Sequence, residues 1–244
     1  MAVRKTLFIL FLVFPLSIQG EIYAVLVGIS EYASGNNLTY CHRDAIDMYT
    51  MLKDCTTPDK IVLLTDRQAK LDSIVFYTKK LFRQAQPDDM VLFFFSGHGN
   101  KNVFFAYDKS LYFSALQTIF KQTKARRKLI FADACFAGTL RQSGDQTAST
   151  SGKSSAGTNV LLFLSTRSNQ HAQENITLEN GIFTHFLVAG LKGDADANKD
   201  GYITAIELFN FVYPKVRERT NSTQIPVMWG NFDRNMIVLK LNSN

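Results

Sequence analysis

The sequence predicts an α/β fold, with a mainly parallel sheet covered by helices on both faces. Three observations carry this. First, residues 23–27, 61–64, 91–95, 129–131 and 160–164 are short apolar runs without alternation. Such runs suit strands buried on both faces, the condition of a parallel sheet. Second, helical spacing fills the gaps between them. Residues 44–52 place Ala45, Ile46, Met48, Tyr49 and Leu52 on a helical stripe, and 71–82 repeat it with Leu71, Ile74, Val75, Thr78, Leu81 and Phe82. Residues 114–120 carry a weaker version. Strand–helix alternation of this kind builds an α/β sheet. Third, the 244 residues are 46% hydrophobic and 20% charged, with 14 glycines and 5 prolines. That is enough apolar chain for one large core, and it excludes wholesale disorder, collagen and low complexity.

The first twenty residues have a different layout. Arg4 and Lys5 precede an apolar stretch over 6–18, interrupted by Pro15, and Gln19-Gly20 stand before Glu21. A positive start, a short apolar core and a small residue at the cut describe a secretory leader. The stretch is short for a spanning helix, and an uncleaved membrane anchor is the other reading. Residues 1–20 are therefore assigned as a signal peptide and 21–244 as one domain. Removing the leader lowers the net charge from +6 to +4. No later segment is apolar and long enough to span, so the mature part is expected outside the cytoplasm, secreted or periplasmic, without stable membrane insertion. The pI of about 9.2 comes with no long Lys/Arg block, which reads as solubility rather than nucleic-acid binding. Three cysteines make no disulfide scaffold. Asn37-Leu38-Thr39, Asn175-Ile176-Thr177 and Asn221-Ser222-Thr223 fit the N-glycosylation pattern, which matters only in a host that modifies it.

Two segments following buried strands carry reactive side chains: Phe93-Phe94-Phe95-Ser96-Gly97-His98-Gly99 and Leu129-Ile130-Phe131-Ala132-Asp133-Ala134-Cys135-Phe136-Ala137-Gly138. In α/β sheets, functional residues collect beyond the carboxyl ends of the strands. A cysteine becomes a strong nucleophile once a base makes it a thiolate, and histidine can take that proton and return it to a leaving amine. Glycine beside the histidine admits a substrate backbone and leaves an N–H for an oxyanion. Alone, such a cysteine reads as a small buried hydrophobe and such a histidine as a turn residue. On consecutive core strands they read as a catalytic pair.

Through the Ser-Gly-His-Gly and Asp-Ala-Cys segments the sequence resembles the caspase/metacaspase group of cysteine peptidases, in particular its bacterial caspase-like members. The resemblance extends over most of 21–241. Tyr23-Ala-Val-Leu-Val-Gly-Ile resembles the group's first strand, Leu38-Thr-Tyr-Cys41-His-Arg-Asp44-Ala the entry to its first helix, and the segment from Gly181-Ile-Phe-Thr to Gly193 its penultimate helix. It implies a three-layer α/β/α fold on a sheet of about six strands, with His98 as general base, Cys135 as nucleophile, and the Gly99 and Cys135 amides as oxyanion hole. It implies protein or peptide substrates and no cofactor for the chemistry. The match departs from both branches. The animal caspase Gln-Ala-Cys-x-Gly is here Asp133-Ala134-Cys135-Phe136-Ala137-Gly138. Thirty-seven residues separate His98 from Cys135, against roughly 50 in caspases. Phe136 stands where metacaspases have a histidine.

The same resemblance bears on specificity. Caspases hold a substrate Asp with arginines, one just after the fifth strand in a Ser-Trp-Arg stretch. Here, in Ser165-Thr166-Arg167-Ser168-Asn169-Gln170-His171-Ala172-Gln173-Glu174, ungapped counting puts Glu174 at that position. An acid repels a substrate Asp and attracts a basic residue. Metacaspase pocket acids match Asp133 and Asp44, with Cys41 and Ser96 beside them. Together these predict cleavage after Arg or Lys, a guanidinium making charge-assisted contacts to the acids. A helix N-cap or first-turn acid is the other reading of Asp44. The rival to an enzyme is a catalytically silent caspase-like domain that binds a partner, since fold does not establish activity.

Residues 141–158, rich in Ser, Thr and Gly, read as a flexible loop. They lie where the group carries its processed linker, with Arg141 and Lys153 as self-cleavage positions; an ordinary surface loop is the alternative. Asp196-Ala-Asn198-Lys-Asp200-Gly201-Tyr202-Ile-Thr204-Ala-Ile-Glu207 fits the twelve-position EF-hand loop. Asp196, Asn198, Asp200, the Tyr202 carbonyl, Thr204 and Glu207 would be the ligands of Ca2+, the alternative being a turn between two helices. Cys41 and Cys55 either pair or stay free. His185 falls on an apolar helical stripe and reads as packed. Trp229 reads as either a substrate contact or a core or surface aromatic. The sequence leaves the oligomeric state open.

Overall fold

A computed structural model of the chain describes residues 20–100, 102–134, 160–167, 174–175 and 180–241. In chain order the elements are β1 (Ile22–Gly28), α1 (Cys41–Leu52), β2 (Ile61–Thr65), α2 (Leu71–Phe82), β3 (Met90–Ser96), β4 (Gly99–Asn100), β5 (Val103–Phe105), β6 (Ser110–Tyr112), α3 (Phe113–Gln122), β7 (Arg127–Asp133), β8 (Val160–Arg167), β9 (Glu174–Asn175), β10 (Asn180–Gly181), α4 (Ile182–Ala189), β11 (Tyr202–Thr204), α5 (Ala205–Arg219), β12 (Gln224–Trp229) and β13 (Ile237–Lys240). The central sheet has six strands in the order β12-β8-β7-β3-β1-β2. Every neighbouring pair is parallel except β12, which runs antiparallel to β8.

The central strands are mainly apolar because both faces are covered. Ile22, Ala24 and Leu26 of β1 face a core shared with Ala45 and Met48 of α1, Phe183 and Leu187 of α4, and Leu208 and Val212 of α5. Tyr23, Val25 and Val27 face a second core, shared with Ile74, Leu81 and Phe82 of α2 and with Leu116, Ile119 and Phe120 of α3. β3 repeats the division, with Phe94 in the first core and Phe93 and Phe95 in the second. Each of these phenylalanines is 0% exposed, and truncating one to Ala costs about 3–5 kcal/mol. The layers are thus α1/α4/α5, sheet, α2/α3, the α/β/α arrangement expected.

α2 has the bounds the periodicity predicts. α4 stops at Ala189, earlier than its apolar stripe suggests. A π-helical turn, Gly190–Asp194, follows, with Gly193 at φ +126°. β12 is absent from the sequence-based strands because Pro226 interrupts it. An edge strand tolerates proline, since one side of its ladder needs no donor. Among the described residues no helix is long and apolar enough to cross a membrane.

Candidate active site

β3 and β7 lie side by side with Ser96 opposite Asp133. Both strands therefore end together, and the segments that follow emerge at one edge. Gly97 turns the chain there, donating its N–H to the Asp133 carbonyl over 3.2 Å. A Cβ at Gly97 would lie 2.5 Å from the Tyr32 hydroxyl and 3.0 Å from the Phe95 ring, so only glycine fits. His98 follows, half-buried. Its backbone N–H donates to Tyr32 Oη over 2.7 Å, and its ring stacks on that of Tyr32 with centroids 4.9 Å apart. The ring Nε2 stands 3.0 Å from the Asn36 carbonyl. A carbonyl only accepts, so this contact places the proton on Nε2 and leaves Nδ1 as the basic nitrogen. Burial pushes the Tyr32 hydroxyl far above its ordinary range, against the lowering effect of the His98 N–H. Tyr32 therefore stays neutral beside the imidazole.

The β1–α1 loop that supplies Tyr32 and Asn36 is tied down on several sides. Asp66 Oδ1 accepts the Ser30 and Glu31 amides at 2.8 and 2.9 Å. Asn37 Oδ1 accepts the Tyr32 amide at 2.9 Å, and Ser30 Oγ lies 2.8 Å from His42 Nδ1. Neither Tyr32 nor Asn36 stands out in the sequence: their roles come from a loop 62 to 66 residues away from the histidine.

The predicted acids converge on one glycine. Asp44 and Asp133 are each 1% exposed. Asp44 sits in the first turn of α1 without capping it, the N-cap being Tyr40. Its Oδ2 accepts Ser96 Oγ–H over 2.6 Å, and its Oδ1 accepts the Gly181 amide over 2.9 Å. Asp133 Oδ2 accepts the Thr184 amide at 3.3 Å and its hydroxyl at 3.2 Å, while Oδ1 accepts Gln224 Nε2 at 3.3 Å. Gln224 Nε2 also donates to Ser165 Oγ. A Cβ on Gly181 would lie 2.4 Å from Asp133 Oδ2 and 2.9 Å from Asp44 Oδ2, so both carboxylates press on this residue. Gly181 and Thr184 belong to the amino end of α4, where free amides and the helix dipole favour negative charge. That supplies compensation for two buried acids. Glu174 pairs its backbone with Gly181 across β9 and β10. Gly181, Thr184 and Gln224 are the members that sequence reasoning missed as pocket residues. The one local signal is a threonine inside an otherwise apolar α4 stripe.

Cys41 is buried at the start of α1, and neither Cys41 nor Cys55 is in a disulfide. The whole of α1 separates them, roughly 18 Å at 1.5 Å per residue, beyond the reach of a disulfide. Gly99 opens the β4 hairpin directly after His98. Cys135, Arg141 and Lys153 lie outside the described residues. His185 is half-buried on α4 with its ring edge against Phe186. Burial lowers its pKa, with Asp47 opposing and Arg219 adding to that shift. Trp229 packs partly buried against the α2/α3 core.

The 196–207 loop spends its oxygens on its own backbone. Asp196 accepts the Asp200 and Gly201 amides at 3.2 and 3.0 Å, Asn198 Oδ1 accepts the Asp200 amide at 2.9 Å, and Asp200 accepts the Tyr202 amide at 2.8 Å. Gly201 has φ +81°, the turn that its place in the loop requires. Glu207 Oε2 accepts the Thr204 amide and hydroxyl at 3.0 and 2.6 Å, forming a capping box for α5. Among the described residues no three His, Cys, Asp or Glu side chains are grouped to hold a metal ion. Calcium binding by this loop would draw Glu207 away from its cap.

The caspase-domain model of peptidase family C14 matches residues 22–237. Metacaspase-1 of Candida glabrata is 33% identical over 90 residues, 34% of this chain and 23% of that protein. The match therefore spans under a quarter of the relative's length. Among solved structures, caspase-1 of Spodoptera frugiperda aligns with a TM-score of 0.69 at 19% identity, over 93% of this chain and 92% of the other. A Geobacter sulfurreducens protein aligns at 0.66 and 17%, over 91% and 97%. At these identities the structures show the fold. With its six-stranded sheet and the family match over nearly its whole length, this chain belongs to the caspase-domain peptidases.

Proposed function

We propose that the protein is a cysteine endopeptidase that hydrolyses peptide bonds after Arg or Lys, using Cys135 as nucleophile and His98 as base. The observation that carries the reading is the convergence of Asp44 and Asp133 on Gly181, beside the strand that leads to Cys135. Two buried acids at the carboxyl edge of the sheet offer a cation what a caspase arginine offers an acid, and the Glu174 backbone lies opposite the same glycine. The Asn36 carbonyl fixes the His98 tautomer, so that Nδ1 takes the thiol proton and later returns it to the leaving amine. The amides of Gly99 and Cys135 serve the oxyanion. Hydrolysis of Arg- or Lys-terminated reporter peptides, absent in Cys135→Ala and His98→Ala, is the expected result. Hydrolysis of Asp-terminated reporters instead would overturn the specificity, and silence of a folded protein in every lane would favour a partner-binding domain.

Export through residues 1–20 and self-cleavage at Arg141 or Lys153 belong to the same reading. Intact masses of wild type and Cys135→Ala test the second: nicking in wild type alone supports it, and identical nicking in both defeats it.

A further inference from the structure

The amino edge of the sheet, away from the catalytic turns, is built around the residue that precedes β1. Glu21 is held at three points. Its amide donates to Asp89 Oδ1 over 2.8 Å, its carbonyl accepts the Met90 amide over 2.8 Å, and its carboxylate takes Lys60 Nζ at 3.1 Å and Thr56 Oγ at 3.2 Å. Asp89 is only 8% exposed. Its other oxygen accepts the Gln86 amide at 2.7 Å, and among the described residues no cation lies within ion-pair distance of it. The groups facing this spot are Glu21 and Tyr23 on the β1 side, Asp59 and Lys60 before β2, Asp88 and Asp89 before β3, and Arg126 and Arg127 at the start of β7. That is four carboxylates against three cations. Gly20 lies flat on the Asp88–Asp89 peptide: a Cβ there would stand 2.3 Å from the Asp88 carbonyl oxygen and 2.6 Å from the Asp89 nitrogen. In the uncut chain, packing here admits only glycine at position 20.

We propose that the Gly20–Glu21 bond is the maturation site, and that cutting it turns the Glu21 amide into an ammonium ion paired with Asp89. The inference rests on the export reading. A signal-type endopeptidase adds water across the amide: Gly20 leaves as a carboxylate, and the Glu21 nitrogen becomes an ammonium group at the position from which its N–H already reaches Oδ1. A neutral hydrogen bond becomes a charge-assisted one, and the fourth cation balances the cluster. An α-amine titrates ordinarily near pH 7.7–8.0, and a carboxylate beside it raises that value. The stabilisation is then fully present below the ordinary pKa and lost as pH rises through the raised one. Asp89 thus anchors the residue that leads into β1, and β1 lies inside the sheet between β2 and β3.

Two measurements test this. The first compares chains that begin at Glu21 with a free amine and with an Nα-acetyl group, which keeps the N–H and removes the charge. The free-amine chain is expected to melt about 2–6 °C higher at neutral pH. The gap should close near pH 10.5 and be absent in an Asp89→Asn pair. Equal melting at neutral pH, or a gap that survives alkaline pH, overturns the pairing without involving export. The alkaline arm decides even if Asp89→Asn fails to fold. The second is N-terminal sequencing of the exported full-length chain. Glu21 first supports the site; any other start overturns it, and an intact leader overturns the export reading itself.

Discussion

Asp44 and Asp133 come from different strand–helix units, and each is 1% exposed. Their partners lie up to 137 residues away in the chain. Asp196, Asn198 and Asp200 sit within five residues of one another in a mostly exposed loop, and their partners are the loop's own amides. In sequence the second group looks the more functional, because its spacing matches a known ion-binding loop. In the folded chain it is the first group that shares a buried position, against a glycine and the amino end of a helix. Spacing identifies groups that can meet locally; burial identifies groups whose charge has been kept at a cost. The contrast predicts that changes to the first group damage both stability and cleavage, and changes to the second only stability.

The largest effect is expected at Asp133. Asp133→Asn leaves Thr184 and Gln224 facing a weaker acceptor. It should lower the melting temperature by about 4–10 °C and kcat/KM on Arg reporters by about 100-fold or more. Retention of wild-type kcat/KM by a folded variant would make the pair structural only. Gly181→Ala comes next: its methyl would collide with both carboxylates, costing about 1–3 kcal/mol and reducing Arg-directed cleavage along with it. If Gly181→Ala melts and cleaves like wild type, the acids do not press on this residue in solution.

Tyr32→Phe keeps the ring stack and removes the acceptor of the His98 N–H. The expected loss is about 3- to 10-fold in kcat with KM nearly unchanged, read from steady-state kinetics. A rise in KM alone would place Tyr32 in substrate binding rather than in holding the histidine. The smallest effects belong to the 196–207 loop. Thr204→Ala breaks the capping box and should cost about 1 kcal/mol, seen as a fall of about 2–4 °C in melting temperature, with kcat/KM unaltered. Millimolar calcium should shift wild-type melting by less than about 1 °C, because Glu207 is engaged by Thr204. A rise of several degrees, abolished by Glu207→Gln, would show that the loop rearranges around the ion.

The legibility of these regions differs for the same physical reason. Unbroken apolar runs and 3.6-residue stripes are local signals, so β1, β2, β3, β7, β8 and α2 could be read directly. Pro226 hid β12, whose edge position is a property of the sheet and not of its own residues. His98 was legible through a short motif after a strand, and the acids only through the resemblance to metacaspases. Tyr32, Asn36, Gly181, Thr184 and Gln224 were not, because each acts through a contact between distant segments, and a single tyrosine or threonine carries no periodic mark. The twelve-position loop was legible as a pattern, and its Gly201 turn is as the pattern requires. Its carboxylates nevertheless close on nearby amides, a competition that short polar side chains win easily.

The central claim is that buried acids read a positive charge on the substrate, and the most direct test holds shape constant while removing that charge. The measurement is kcat/KM for matched reporters ending in arginine and in its neutral isostere citrulline, for wild type and Asp133→Asn. The account predicts a preference for arginine of about 100-fold or more in wild type, largely lost in Asp133→Asn. Equal cleavage of the two reporters by wild type, or an unchanged preference in Asp133→Asn, would contradict it.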